Sequence, residues 1–190
     1  MGFDPNVALD RAVELFWADG FDGVDVERIA EAAGVTKPSL YRLFGDKSSL
    51  FLHALGRYGE TVGARPLAAF NGKADIADAV AALLDETVKA ATTHGRARGC
   101  LLACVATAEA GRSRRVRAAV AHGLNTLTDI LTQRFDMETA NGRLAASPTA
   151  ETRSRLLVDV IQGLMLRARA GTTRIDLLRD SRNYVALVVT

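Results

Sequence analysis

A chain of 190 residues, 48% hydrophobic and 24% charged, is large enough for one compact domain or for a small domain fused to a larger one. Ala, Leu, Arg and Glu dominate while aromatic and β-branched clusters are sparse, which favours helices throughout and argues against a sheet protein. A net charge of +2, no apolar run near the roughly 20 residues that cross a bilayer, and an N-terminus unlike a signal peptide leave no bulk signature of a polyanion binder, a membrane protein or a secreted one; a cytoplasmic protein is expected.

Helical periodicity runs along almost the whole chain. Leu9, Val13, Phe16 and Trp17 recur at helical spacing and end at Gly20, predicting a first helix over 5–19 with Pro5 in its first turn. Val26, Ile29, Ala30 and Ala33 predict a short second helix that stops at Gly34, and a third runs only from Lys37 to Phe44 before Gly45. Asp46 is placed to cap a fourth helix from Lys47 to about Gly63, which Pro66 closes. Arg65–Lys73 reads as the hinge into a second, larger helical region, with helices near 74–93, 101–110, 113–135, 150–170 and 174–189. Asn141–Thr149, with Gly142, Ser147 and Pro148, is the most loop-like stretch after it. The predicted division is therefore 1–63 and 64–190.

Short helices separated by tight turns can set one helix steeply across another, and three residues within VERIAEAAGVTKPSLYRLF enforce that crossing. Ala30 is small enough for close approach, Gly34 accepts a left-handed turn, and Leu40 anchors the third helix from inside. Leu40 and Phe44 then face the core. The rest of that helix is polar: Thr36 as N-cap, Lys37, Ser39, Tyr41 and Arg42. Such side chains reach phosphates, guanine edges and thymine methyls, as an exposed helix in a major groove must. Lys47, at the start of the fourth helix, and Arg28, on the second, are further phosphate candidates. The N-terminal charge balance (six Lys/Arg against ten Asp/Glu in 1–64, −4; eighteen against twelve in 65–190, +6) makes local placement of cations decisive. The same turn in a solvated three-helix adaptor is the competing reading.

The span FDPNVALDRAVELFWADGFDGVDVERIAEAAGVTKPSLYRLFGDKSSLF resembles the N-terminal domain of the TetR family of transcriptional regulators, through the AGV turn, the Leu40–Tyr41 pair, Phe44 and Lys47. The resemblance implies an all-α protein: an N-terminal three-helix helix-turn-helix domain that binds double-stranded operator DNA, and a larger C-terminal helical bundle for ligand binding and dimerisation. It implies DNA contacts from Thr36, Lys37, Ser39, Tyr41, Arg42 and Lys47, and a repressor released from a near-palindromic operator by a small-molecule effector. Two departures stand out. Leu43 is apolar where many relatives carry a polar reader, and no basic arm precedes the first helix.

In the C-terminal part, LLVDVIQGLML over 156–166 is apolar on more than one face, and Ile175, Leu178, Val185 and Val189 trace an approximate heptad stripe interrupted by Arg182. Two such helices per subunit would form a four-helix homodimer interface; a wholly internal core is the alternative. The effector-binding residues are unknown from sequence, since the Phe, Leu, Val and Thr residues of 70–135 suit a pocket lining or a filled core equally. Cys100 and Cys104 are i, i+4 near a helix N-terminus, close to Arg96 and Arg98, which would lower the pKa of Cys100 and make the two a candidate redox-sensing pair. Two small buried hydrophobes is the plainer reading. His53, His94 and His122 show no metal-ligand spacing, and no phosphate loop, nucleophile elbow or triad spacing is visible. No metal, cofactor or enzyme activity is expected.

Overall fold

The computed structural model describes residues 4–93 and 99–190, and within these it is helical without strands. Four helices come first: α1 (Pro5–Asp19), α2 (Val26–Ala33), α3 (Lys37–Phe44) and α4 (Lys47–Tyr58). Each begins where local chemistry provides for it. Asp4, Thr36 and Asp46 accept hydrogen bonds from the N–H groups of Asn6, Ser39 and Ser49, covering donors that the first turn of a helix leaves open. Ala8, Ala12, Phe16 and Trp17 of α1 turn inward with Leu50, Phe51 and Ala54 of α4, and Asp10 pairs with Arg57 across the two helices at 2.7 Å. The Phe16 ring meets that of Phe51 edge-on at 5.0 Å, and Phe21 meets Phe51 at 5.2 Å. Full burial of one such ring contributes about 1.5–3 kcal/mol, so these contacts hold the small unit together.

The stretch read as a hinge is helix. A wide π-type turn over Gly59–Gly63 carries α4 directly into α5 (Ala64–Asn71). Pro66 does not close the fourth helix; it lies in the first turn of α5, where its missing N–H removes no intrahelical bond. Its burial, and that of Phe70, commits this stretch to the second core. The remaining helices are α6 (Ile76–Thr93), α7 (Thr107–Ala110), α8 (Arg114–Ala140), α9 (Ala150–Arg169) and α10 (Arg174–Val189), with a second π-type turn over Leu101–Ala106 leading into α7. Helix α8 outruns the expected end at 135. Glu138, buried in the extra turn, takes hydrogen bonds from Arg134 and Arg143 and so tolerates its place there. Residues 141–149 form the loop expected, and Arg153, itself buried, donates to the carbonyls of Ala145, Ser147, Pro148 and Val188 to hold it against the end of α10.

Two cores result. One gathers Phe70, Leu83, Leu84, Val88, Leu131, Phe135, Leu157 and Leu177 from α5, α6, α8, α9 and α10. The other belongs to α1–α4 but does not end with them: Leu101, Val105, Ala106, Val116 and Val120 complete it. The N-terminal unit therefore rests on the π-type turn and the start of α8, in direct van der Waals contact. No helix among the described residues is long and apolar enough to cross a membrane.

Candidate nucleic-acid interface

Gly34 ends α2 at φ 67°, ψ 32°, a left-handed conformation, and a Cβ there would meet nothing nearby, so the backbone torsion alone selects glycine. The Val35 N–H returns to the Ala30 carbonyl at 2.9 Å, closing the turn that sets α3 across α2. Leu40 and Phe44 point into the core, as expected. Pro38 sits at the start of α3 without cost, for the same reason as Pro66.

The outward face carries the polar side chains. Thr36 and Ser39 hydroxyls lie 2.9 Å apart and share the cap. Lys37 stands 5.4 Å above the Tyr41 ring and is ion-paired with Glu27 of α2, which raises the lysine pKa and lowers that of the glutamate through their hydrogen bond. Tyr41 is 41% exposed and Leu43 44%, so Leu43 belongs to the outer surface rather than to packing. Arg42 is exposed beside it, with no carboxylate partner among the described residues. These residues form one continuous surface.

Arg28 and Lys47 are tied elsewhere. Arg28 donates to Asp19 at 2.7 Å, and the Lys47 ammonium lies 4.7 Å over the ring of Phe21, so both hold the turn between α1 and α2. Three further arginines, not singled out from the sequence, tie this unit to the rest of the chain. Arg112 pairs with Asp22, Arg115 at the start of α8 donates to Ser49 at 3.1 Å, and Arg169 at the end of α9 donates to the Trp17 carbonyl at 2.6 Å. Their partners lie 90, 66 and 152 residues away, and no local pattern announces contacts at such separations.

The sequence profile described as "Bacterial regulatory proteins, tetR family" matches residues 8–54. A second, described as "Transcriptional regulator LmrA/YxaF-like, C-terminal domain", matches residues 76–182, more than half of the chain. The chain belongs to the TetR family. It is accordingly a DNA-binding transcriptional regulator and not an enzyme. Among curated relatives it is 27% identical to the transcriptional repressor ComR of Escherichia coli over 176 residues, 90% of this chain and 82% of that protein. It is 33% identical to the repressor BdcR of the same organism over 101 residues, 53% of this chain and 51% of that one. Among solved structures, the TetR-family regulator CifR, a cysteine mutant complexed with 26-bp double-strand operator DNA, superposes with a TM-score of 0.88 at 31% identity, covering 98% of this chain and 97% of that one.

The other sequence expectations divide. The thiol of Cys100 is pushed up, not down, because burial outweighs the hydrogen bonds around it, the largest of them with Tyr58. Burial among apolar neighbours is what defeats the expected activation; Arg96 and Arg98, invoked for it, lie outside the described residues, as does His94. Cys104 is half-buried, its Sγ 3.7 Å from the Met165 carbonyl. His53 packs beside Phe44 with ring centroids 5.6 Å apart. No metal-binding cluster occurs among the described residues.

The apolar residues of 70–135 fill the second core. A pocket of about 250 Å³ opens instead between the N-terminal unit and the C-terminal helices.

On α10 the expected stripe is only partly outward. Ile175 is 79% exposed, whereas Leu178, Val185 and Val189 lie half-buried against the core, because the helix is rotated to seat Leu177, Ser181 and Val188.

Proposed function

We propose that the chain is a homodimeric repressor that sets α3 of each subunit into successive major grooves of a near-palindromic operator and is released when a small-molecule effector favours a wrongly spaced pair of heads. The observation that carries this is the outer face of α3, where Thr36, Lys37, Ser39, Tyr41 and Arg42 stand together on the Gly34 turn. Repression by ComR and BdcR and the operator-bound state of CifR support it. In this reading Arg42 and Tyr41 meet the groove, Leu43 meets a thymine methyl, and Thr36, Ser39 and Lys47 meet phosphates. Lys37 joins them by exchanging Glu27 for a phosphate, and Arg28 acts from α2 at the edge of the contact. Residues 1–63 do the reading and 64–190 the dimerisation and effector binding. Leu156 and Leu166 of α9 and Ile175 and Leu187 of α10, all exposed, support a subunit interface on those helices.

The test is affinity for the gene's own upstream DNA and for random DNA, each at two salt concentrations. A repressor binds its operator several orders of magnitude more tightly than random DNA and loses affinity as salt rises. Replacing Tyr41 and Arg42 together by Ala should abolish the preference while leaving a folded dimer by circular dichroism and sedimentation. Equal, weak binding to every DNA, unchanged in that variant and in a random-sequence selection, would instead identify a helical adaptor.

A further inference from the structure

The 250 Å³ pocket has one wall from each half of the molecule. Residues 19–23, the turn after α1, form the first, and the second comes from residues 104–112 together with Arg169. Its apolar lining includes Phe21, Val105 and Ala108. The polar groups around it are not equivalent. Arg169 is committed to the Trp17 carbonyl, Asp19 to Arg28, and Arg112 to Asp22 at the rim, where both partners are exposed. Glu109 differs: it is only 8% exposed, and no donor among the described residues hydrogen-bonds its carboxylate. Arg112 feels its charge but gives its own hydrogen bond to Asp22. A carboxylate buried without a donor is costly unless something cationic completes it.

We infer that this pocket is a binding site for a small organic cation, an ammonium carried on a compact apolar body, with Glu109 as the counter-charge and Phe21, Val105 and Ala108 holding the apolar part. The volume is just below the roughly 300–1,000 Å³ of drug-sized sites, which restricts the ligand to a small amine. The inference rests on the repressor reading above and deepens its effector. An occupant that touches both walls binds only one angle of the N-terminal unit to the body, and so shifts the spacing of the two reading heads. Arg112 and Asp22, across the mouth, close behind it or part to admit it.

Benzylammonium, benzyl alcohol and benzoate share a ring and differ in charge, which makes them suitable probes. Their binding is followed by calorimetry on the DNA-free protein, and operator affinity is measured separately with and without each. Benzylammonium should bind wild type at least about tenfold more tightly than the alcohol, with benzoate weakest, and Glu109→Gln should erase that order. Ala108→Phe, at an exposed position of α7, should fill the pocket and remove binding while the helical spectrum is kept. Equal binding of the probes, or discrimination that survives Glu109→Gln, overturns the site. Benzylammonium that binds through Glu109 yet leaves operator affinity unchanged overturns its effector role. A chain that fails to select operator with no probe present overturns the repressor reading alone, because calorimetry on the free protein still decides the site.

Discussion

Lys37 is the residue whose role changes most with its environment. In the free protein its ammonium is held by Glu27, which makes the second turn of the motif rigid but offsets a cation on the face that meets DNA. Arg42 has no such partner among the described residues and is ready for phosphate as it stands. The N-terminal unit is acidic overall, so this restraint on Lys37 weakens non-specific binding more than operator binding, where fixed geometry compensates for the exchange of partners. Glu27→Gln should therefore raise affinity for random DNA and steepen the dependence of log affinity on log salt by roughly one, as expected for one additional phosphate contact. Operator affinity should rise less, so the ratio between the two falls. Titrations on both DNAs across a salt series check this; an unchanged slope would mean that Lys37 makes its phosphate contact whether or not Glu27 is charged.

Among the elements, the link from α5 to α6 and the end of α8 depend on one buried carboxylate. Glu138 takes a hydrogen bond from Arg143 and one from Arg134 at 2.7 Å; Arg134 in turn donates to the carbonyls of Lys73 and Ala74 and lies 5.6 Å from the Phe70 ring. The hydrogen bond from Arg143 is the main reason the Glu138 pKa falls below its ordinary value, with Arg134 adding to it. A carboxylate depressed in the folded state contributes stability above the unfolded value of about 4.3 and loses it as pH falls through the folded one. Glu138→Gln should cost about 2 kcal/mol at pH 7 and leave a shallower loss between pH 5 and 3, read from urea midpoints at each pH. Parallel acid curves for the two proteins would show that the carboxylate is not what acidification disrupts. The same region shows where sequence reasoning stops. Helices α1–α4 were legible because Gly34, Gly45 and the caps Thr36 and Asp46 act locally. Pro66 misled because a proline that stops one helix is equally suited to begin another, and burial of Phe70 decides between them. Glu138, three positions beyond the expected end of α8, survives inside through arginines whose positions no helical period reveals. The reading face was identifiable from residue type alone, whereas Arg112, Arg115 and Arg169, which tie it to the body, depend on long-range packing.

At the scale of the whole molecule, the outward side of α9 poses a question that a single subunit does not answer. Gly163 lies in the middle of this helix, where glycine costs about 1 kcal/mol against alanine, yet a Cβ at that position would meet nothing in its own subunit. Its φ is not in the left-handed region, so the backbone does not require it either. Leu156 lies seven residues before it and Leu166, 63% exposed, three after, which places all three along one stripe of the helix. Exposed Ile175 and Leu187 extend apolar surface onto α10. A second copy packed across this stripe would bury the leucines and use the missing side chain for close approach of the helices. Gly163→Leu should then leave the subunit's helicity and stability unchanged or slightly improved while shifting it to monomer in sedimentation equilibrium. Operator affinity should fall with it, because each head loses the local concentration supplied by its partner, a factor on the order of 10²–10⁴. Binding of one isolated half-site should change little, which separates this effect from damage to α3. A variant that stays dimeric and binds the full operator normally would move the subunit interface off the stripe and leave Gly163 without a role in assembly.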